Sequence, residues 1–468
     1  MTSYRCFFLG TICIGFIVAY GIFFDLTKPK VDIDLNTSNI FKERQSQKIS
    51  ASTMPAVVKV SGTKAYLLSA VSKSVLNENN REGLKRVTND IVVTGWYAPV
   101  KSKPRYGPLS CCFYHENGGI SSGPAERRKR FKESKKDLFD VLQCVCPIQA
   151  SNKGPVSKVS IVEVDDVCNY NTSHYIDAEG IQKRRINGIA LCAKIMYGTL
   201  DARYLIEWFE AQRLLGINKI FCYIHHDLNE EAKKVVKYYQ RQKFAKAIPF
   251  DVPENDTYPR NLWIGYDRAW TDKGVSILDC QERMSVYKYA IYLDVDEILI
   301  PENTKLRGSI KRYIQAILES GSRLAGVHFK TVIHIMSWGE TDPTHPLFIG
   351  RHANSTLPMW DRSKFAFRPD RIIPASCKAH DCHTKPGYIS KRLSDETAVI
   401  HHFRSCLPAW ERLAGKKTIK GKGKKLNFSR SKENLSCSFK RHRSKAISDL
   451  AQKIKDDVVK VRSYLNIN

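Results

Sequence analysis

Between residues 189 and 293, short apolar runs alternate with amphipathic stretches, and this alternation limits the fold more than any other feature. Residues 189–196 (IALCAKIM) are too few for a buried helix and suit a central strand. Asp201 then stands where a helix cap belongs, Leu205, Trp208, Phe209 and Leu215 recur at helical spacing, and Gly216 sits at the C-cap position. A second strand is expected over 219–224 (KIFCYI), followed by a helix with Ala232, Val235, Val236 and Tyr239 on one face. A third strand is expected over 245–250, a further helix over about 273–288, and an apolar strand over 289–293. Strands and helices alternating at this length imply βαβ units and a parallel sheet.

The last of these strands runs into Asp294-Val295-Asp296-Glu297, after which the chain turns apolar again through Ile298-Leu299-Ile300. In an extended chain, positions two apart share a face, so Asp294 and Asp296 are expected to face one site and Glu297 need not. Carboxylates beside a buried sheet are costly unless a cation or hydrogen bonds compensate. A hard divalent ion, Mn²⁺ or Mg²⁺, would compensate and keep open positions for diphosphate oxygens. Ligands of open α/β sheets bind at the carboxyl ends of strands, where this motif falls. Taken alone, an Asp-x-Asp is more often a solvated turn or a cap; its place in a βα series argues otherwise.

The flanks carry other signals. Residues 6–24 (CFFLGTICIGFIVAYGIFF) hold no charge and would make a helix of about 28 Å, close to a bilayer core. An uncleaved anchor is expected, since Ala19-Tyr20-Gly21 is a poor signal-peptidase site inside the apolar run. Arg5 before it and Lys28 and Lys30 after it scarcely set its orientation. Six Asn-x-Ser/Thr sequons (Asn36, Asn171, Asn255, Asn354, Asn427 and Asn434) and twelve of the fourteen cysteines follow the anchor, which favours a lumenal, oxidising location for the bulk of the chain. The resulting division is a cytoplasmic tail (1–5), an anchor (6–24), a stem (25–88), a β-rich region (89–185), an α/β domain (186–415) and a basic C-terminal extension (416–468). In the stem, residues 65–70 alone look able to begin a strand.

The net charge of +28 raises nucleic acid, anionic membrane or acidic substrates as partners. Fourteen Lys or Arg against two acids fall within 404–445, without aromatic interleaving, and this reads as a solvated extension. An anchor with lumenal sequons argues against nucleic acid.

The stretch from about residue 189 to 404 resembles glycosyltransferase family 92, formerly a domain of unknown function. The resemblance is carried by Leu200 through Trp208, by Leu214-Leu215-Gly216-Ile217 and Leu278-Asp279-Cys280, and by Tyr292 through Glu297. Lys364-Phe365 with Arg368-Pro369, and Ile400-His401-His402-Phe403-Arg404, complete it in the same order. The sequence departs from the pattern at Phe403, where Tyr is expected, and around Trp338-Gly339-Glu340. The resemblance implies a GT-A fold, a Rossmann-like and mostly parallel sheet with flanking helices. It also implies an inverting transfer from a UDP-sugar, galactose in studied members, to fucose or galactose of N-glycans at a Golgi membrane.

Site roles follow from that resemblance. Asp296 is expected as the principal metal ligand, Asp294 as a water-mediated metal contact or a ribose partner, and His402 as the histidine completing the shell. His401 and His402 point to opposite faces of a strand, so at most one is a ligand. His380 matches a further family histidine, although Ala379-His380-Asp381-Cys382-His383 reads more readily as a disulfide-bearing loop. Tyr197 is expected to stack on uracil and Asp227 to hold base or ribose, with an N-cap role as the alternative for Asp227. Trp208 and Glu207 are expected to serve packing and an internal ion pair. An inverting transfer needs a carboxylate base, for which Glu340, Asp342 and Asp361 stand in range, with Glu340 preferred. Trp338 and Trp360 are candidate sugar platforms. Competing readings are an inactive glycan-binding or scaffold protein on the same fold and a metal-dependent phosphodiesterase; a homodimer is left open.

Overall fold

The computed structural model describes residues 57–60, 64–77, 86–98, 108–128, 139–148, 154–180 except 165, 185–253, 266–301, 305–393, 397–406, 437 and 439–467. The expected anchor, the remainder of the stem before 57, and the Lys/Gly-rich run after 406 lie outside these residues. Among the described residues no helix is long and apolar enough to cross a membrane.

The first part of the described chain is all β. Strands β1 (Val58–Lys59), β2 (Ala65–Asn77), β3 (Arg86–Tyr97), β4 (Leu109–His115), β5 (Ile120–Pro124), β6 (Glu126–Arg127), β7 (Asp140–Ile148), β8 (Val156–Glu163) and β9 (Ile176–Gly180) make one sheet in the order β5-β4-β8-β9-β2-β3-β7-β6, with β1 beside β2. The β-rich region therefore begins by residue 58, not 89. The apolar run within β2 pairs antiparallel with β3 along its length, which takes much of the expected stem into the sheet. Disulfides Cys111–Cys146 and Cys112–Cys168 close the loops of this region.

The α/β part follows, with β10 (Ile186–Met196), α1 (Ala202–Leu215), β11 (Lys219–Ile224), α2 (Glu230–Arg241), β12 (Ala245–Pro249), α3 (Tyr266–Met284), β13 (Tyr287–Tyr292), β14 (Glu297–Pro301), α4 (Ser309–Glu319), β15 (Leu324–Ile335), a one-turn α5 (Phe348–Arg351), β16 (Asn354–Ser355), β17 (Met359–Phe367), β18 (Ile389–Arg392), β19 (Ala398–Arg404), β20 (His442–Arg443) and α6 (Lys445–Leu465). The sheet order is β12-β11-β10-β13-β17-β15-β19-β14, with β18 off β15. The first four strands are parallel, and β17 enters antiparallel between β13 and β15. This is a mixed α/β architecture compatible with a Rossmann-like glycosyltransferase fold.

Alternation along the strands sorts side chains to two faces. Ile189, Leu191 and Ala193 pack with α1, α2, α4 and α6, while Ala190 and Cys192 pack with α3. Asp201 caps α1 by accepting from the Arg203 N–H at 2.8 Å, and Gly216 ends it at φ 100°, where a side chain would also strike the Gly308 backbone. Helix α3 lies between the two sheets. On its β-rich side Trp96 Nε1 donates to Asp272 at 2.9 Å, Ser69 donates to Asp279, and Lys73 pairs with Glu282. On its other side it is tied to β10 by Cys192–Cys280.

The C-terminal residues depart from the expected extension. Helix α6 buries Ile447, Leu450, Ala451, Ile454, Val458, Val461 and Leu465 in the main core, a stripe at helical spacing that its abundant Lys and Arg disguise in composition. Glu207 of α1, fully buried, joins this helix to the fold. Its carboxylate accepts from the N–H groups of Phe348 and Ile349 at 2.9 and 3.1 Å and pairs with Arg462 at 2.5 Å. That matches the packing and ion-pair role expected for it.

Candidate active site

Strand β13 ends at Tyr292, and residues 293–296 form a turn closed by the Glu297 N–H donating to the Asp294 carbonyl at 3.0 Å. The acids therefore lie in a turn and not in an extended strand, so strand alternation does not set where the Asp294 and Asp296 carboxylates point. Asp294 faces two lysines: Lys194 Nζ lies 2.7 Å from one carboxylate oxygen and Lys364 Nζ 2.9 Å from the other. Lys364 also reaches Glu297 at 2.7 Å, and the Glu297 carboxylate accepts from the Asp294 N–H at 2.8 Å. Burial opposes ionisation of Asp294, but the fields of Lys194 and Lys364 outweigh it and hold the carboxyl well below its ordinary range.

Lys194 reaches this position through a local irregularity. The register of β10 against β11 shifts between Cys192 and Ile195, and Lys194 adopts φ 56°, in the left-handed region unusual for a residue with a side chain. Burial pushes its ammonium down to about 8, with Asp294 acting in the opposite direction. Helix α1 fixes the other side of the turn, since Trp208 Nε1 and Gln212 Nε2 both donate to the Glu297 carbonyl, at 2.9 and 3.3 Å.

Asp296 meets a histidine. His402 Nε2 is 3.1 Å from the Asp296 carboxylate, and His402 Nδ1 is 3.5 Å from that of Glu297. The pairing of β14 with β19 sets Glu297 opposite His402, and the Phe403 N–H donates to the Asp296 carbonyl at 2.9 Å. One ligand atom from each of Asp296, Glu297 and His402 falls within 4.8 Å of the others. Two carboxylates and one imidazole suit a divalent ion of the Mn²⁺ type. Two buried atoms near this cluster lack a hydrogen-bond partner, His402 Nδ1 and the Tyr204 hydroxyl. The donor set thus fits a cation held by Asp296, Glu297 and His402. Asp294 is held by Lys194 and Lys364. His401 turns to the opposite face, its Nδ1 2.9 Å from His334 Nε2, and burial pushes His334 down to about 3.

Tyr197 and Asp227 gather at the adjacent strand ends. Burial raises the Tyr197 phenol, and Asp294, Asp227 and Asp296 all lie near enough to raise it further. Asp227 is not the N-cap of α2, a position that Asn229 occupies. Its carboxylate accepts from the Gly198 N–H at 3.1 Å and lies 2.6 Å from His225 Nδ1. Against burial, these two hydrogen bonds keep Asp227 below its usual range. Next to it His226 Nδ1 is 2.6 Å from Asp251, and His225, His226 and Asp251 form a second group with metal-compatible spacing.

Residues 187–457 match the model of glycosyltransferase family 92, more than half of the chain. The chain belongs to glycosyltransferase family 92. A beta-1,4-galactosyltransferase of Caenorhabditis elegans, galt-1, is 27% identical over 116 residues, 24% of this chain. The match spans 25% of that relative's own length. The crystal structure of HddC from Yersinia pseudotuberculosis overlaps 47% of this chain and 91% of its own at a TM-score of 0.23 and 9% identity, too slight a likeness to bear on the fold.

In the family 92 domain the expected acceptor-side residues divide. Glu340 is engaged by Arg351 at 3.3 Å, with His352 at 4.0 Å. Asp342 accepts from the Thr344 hydroxyl at 2.7 Å in a local turn. Asp361 lies at the head of β17 and lines an open groove, with Arg362 Nε 3.9 Å away. Trp338 does not present an open platform. Its Nε1 donates to the Cys437 carbonyl at 3.0 Å and its ring packs with Met359 and Phe439 against Cys406–Cys437. Cys377–Cys382 encloses His380, whose Nδ1 lies 2.7 Å from the Ser363 carbonyl, so the loop reading holds there. Sequence reasoning missed Lys194, the ligand geometry of Glu297, and Arg404. Burial lowers the Arg404 guanidinium, with Asp296 and Arg362 the charges acting most strongly on it. Lys364 and Arg404 stood inside quoted motifs, and an unpaired lysine in a central strand was the signal available.

Proposed function

We propose that this chain is an inverting, metal-dependent glycosyltransferase that moves a sugar, galactose from UDP-galactose in the first instance, onto a glycan acceptor. The observation that carries the reading is the Asp296–Glu297–His402 cluster at the carboxyl end of a parallel strand, in a chain of family 92. A Mn²⁺ or Mg²⁺ ion held there would supply charge neutralisation for a leaving diphosphate. The chain's own residues do the rest. Lys194 and Lys364 lock the turn through Asp294, Arg404 adds positive charge beside Asp296, and Tyr197 with Asp227 flanks the strand ends where base and ribose would lie. For the acceptor proton Glu340 and Asp361 are the two candidate bases, each with an arginine within 4 Å, Arg351 at 3.3 Å and Arg362 at 3.9 Å. The GT-A reading and a lumenal, Golgi-anchored topology belong to the same proposal and fit the five disulfides found among the described residues.

The test is product analysis of purified protein with Mn²⁺, UDP-galactose, UDP-glucose and UDP-N-acetylhexosamines against an N-glycan panel. Transfer that disappears in Asp296→Asn, with the melting temperature retained, is the expected result. Transfer that survives this substitution unchanged removes the metal assignment.

A further inference from the structure

A groove of about 440 Å³ lies between the entry to β17 and the chain that precedes α6, lined by Leu357, Pro358, Met359, Trp360, Asp361, Phe439 and Lys440. That volume is in the roughly 300–1,000 Å³ range of ligand clefts. Its floor is fixed from below. Met359 and Phe439 pack on Ile333, Ile335 and the Cys406–Cys437 bridge, which joins the end of β19 to the chain before α6. The Trp360 indole is steadied by Lys330 Nζ and Arg392 Cζ, 5.9 and 5.5 Å from its ring centroid. Trp360 and Leu357 remain 36% and 57% exposed, so the groove presents apolar surface to solvent. A carboxylate, Asp361, lines the same groove. The groove also borders the candidate active site, since Ile333, on which Met359 packs, pairs with His402 across β15 and β19.

We propose that this groove is the acceptor subsite, and that its occupant is a pyranose ring of a neutral acceptor glycan lying on Trp360 with hydroxyls toward Asp361. The argument is chemical. A pyranose presents an apolar face of C–H groups and an edge of hydroxyls, so an aromatic and a carboxylate lining one groove match both. A purely anionic ligand would want an excess of cations, whereas the lining sets one cation, Lys440, against one anion, Asp361. The inference rests on the transferase reading for its place in the reaction, but binding itself does not need the donor. A corollary is that Phe439 and Lys440 form part of the acceptor site, on a stretch of chain that the Cys406–Cys437 disulfide ties to the end of β19.

The experiment uses the purified protein and a galactose-terminated biantennary N-glycan as probe. Binding is followed by calorimetry without donor, at 0.1 and 0.5 M NaCl, for wild type, Trp360→Ala and Trp360→Phe. In parallel, Mn²⁺-dependent UDP binding and melting temperature are recorded for each. The proposal expects salt-insensitive binding, weakened about tenfold or more in Trp360→Ala and within about threefold in Trp360→Phe, with UDP binding and melting unchanged. Where transfer is measurable, the loss appears in acceptor KM with kcat largely retained. Glycan binding without any transfer would sink the catalytic reading and leave the subsite standing. Transfer with an unaltered acceptor KM in Trp360→Ala would overturn the subsite and leave catalysis standing. Capture of dextran sulfate alone, lost at 0.5 M NaCl, would also overturn it, as would a groove filled by a second copy of the chain.

Discussion

Replacing Lys364 by Met tests the account of the turn most directly. Lys364 is fully buried, 2.9 Å from Asp294 and 2.7 Å from Glu297, and Glu297 is buried as well. Breaking a buried pair by removing one partner costs about 3–5 kcal/mol, because the stranded charge stays desolvated. Asp294 keeps Lys194 at 2.7 Å and its side chain is 37% exposed, so water softens its share. Glu297 keeps only the Asp294 N–H at 2.8 Å and His402 at 3.5 Å. The lower end, about 3 kcal/mol, is therefore expected, equivalent to about 3–4 °C in melting temperature for a compact unit of roughly 410 residues at about 2.1 cal/mol/K of unfolding entropy per residue. Thermal unfolding of purified protein at neutral pH reads it. A Lys364→Met/Glu297→Gln double variant should regain part of the loss, since it no longer buries the second charge. The acid limb should change too. Asp294 has a depressed folded pKa, so its contribution is complete above its unfolded value near pH 4 and is lost as pH falls through the folded one. With Lys364 gone that loss moves to higher pH. A Lys364→Met protein melting within 2 °C of wild type (the scatter we would accept) would refute the clamp.

Three further outcomes are expected. Burial raises Glu207 to about 7 despite the N–H groups of Phe348 and Ile349 and the Arg462 charge. Its raised folded pKa favours the folded state below the unfolded value near 4.5, and that advantage fades as pH climbs toward 7. Glu207→Gln should flatten stability across that window in urea titrations at matched pH, and an unchanged slope would count against it. Truncation before Lys445 should abolish secretion of folded protein, because six large apolar side chains of α6 together bury on the order of 10 kcal/mol of transfer free energy; a soluble, cooperatively melting product would contradict the core placement. Asn171 lies in an exposed turn, so endoglycosidase should shift the protein and Asn171→Gln should remove one step. A chain carrying no glycan at any sequon would reverse the proposed topology.

The sequence by itself determined the parallel half of the sheet. Strand β11 and the caps of α1 fall where apolar run length, Asp201 and Gly216 put them, because these signals are local and obey helix and strand periods. It also separated His401 from His402, since neighbours on a strand must face opposite ways. Tertiary structure decided what Asp294-Val295-Asp296-Glu297 becomes. The strand stops two residues before the acids, and which carboxylate meets a lysine or a histidine depends on β17 and β19, distant in sequence and brought alongside by antiparallel pairing. No local pattern encodes that Lys194, at a bulge, and Lys364 close on Asp294. Likewise α6 looked like solvated tail because charge dominates its composition, while its buried stripe acquires meaning only when α1 and α5 offer a surface to receive it. Local rules fix which way a chain twists and alternates; partners from far along it fix which charges stay in water and which must find each other.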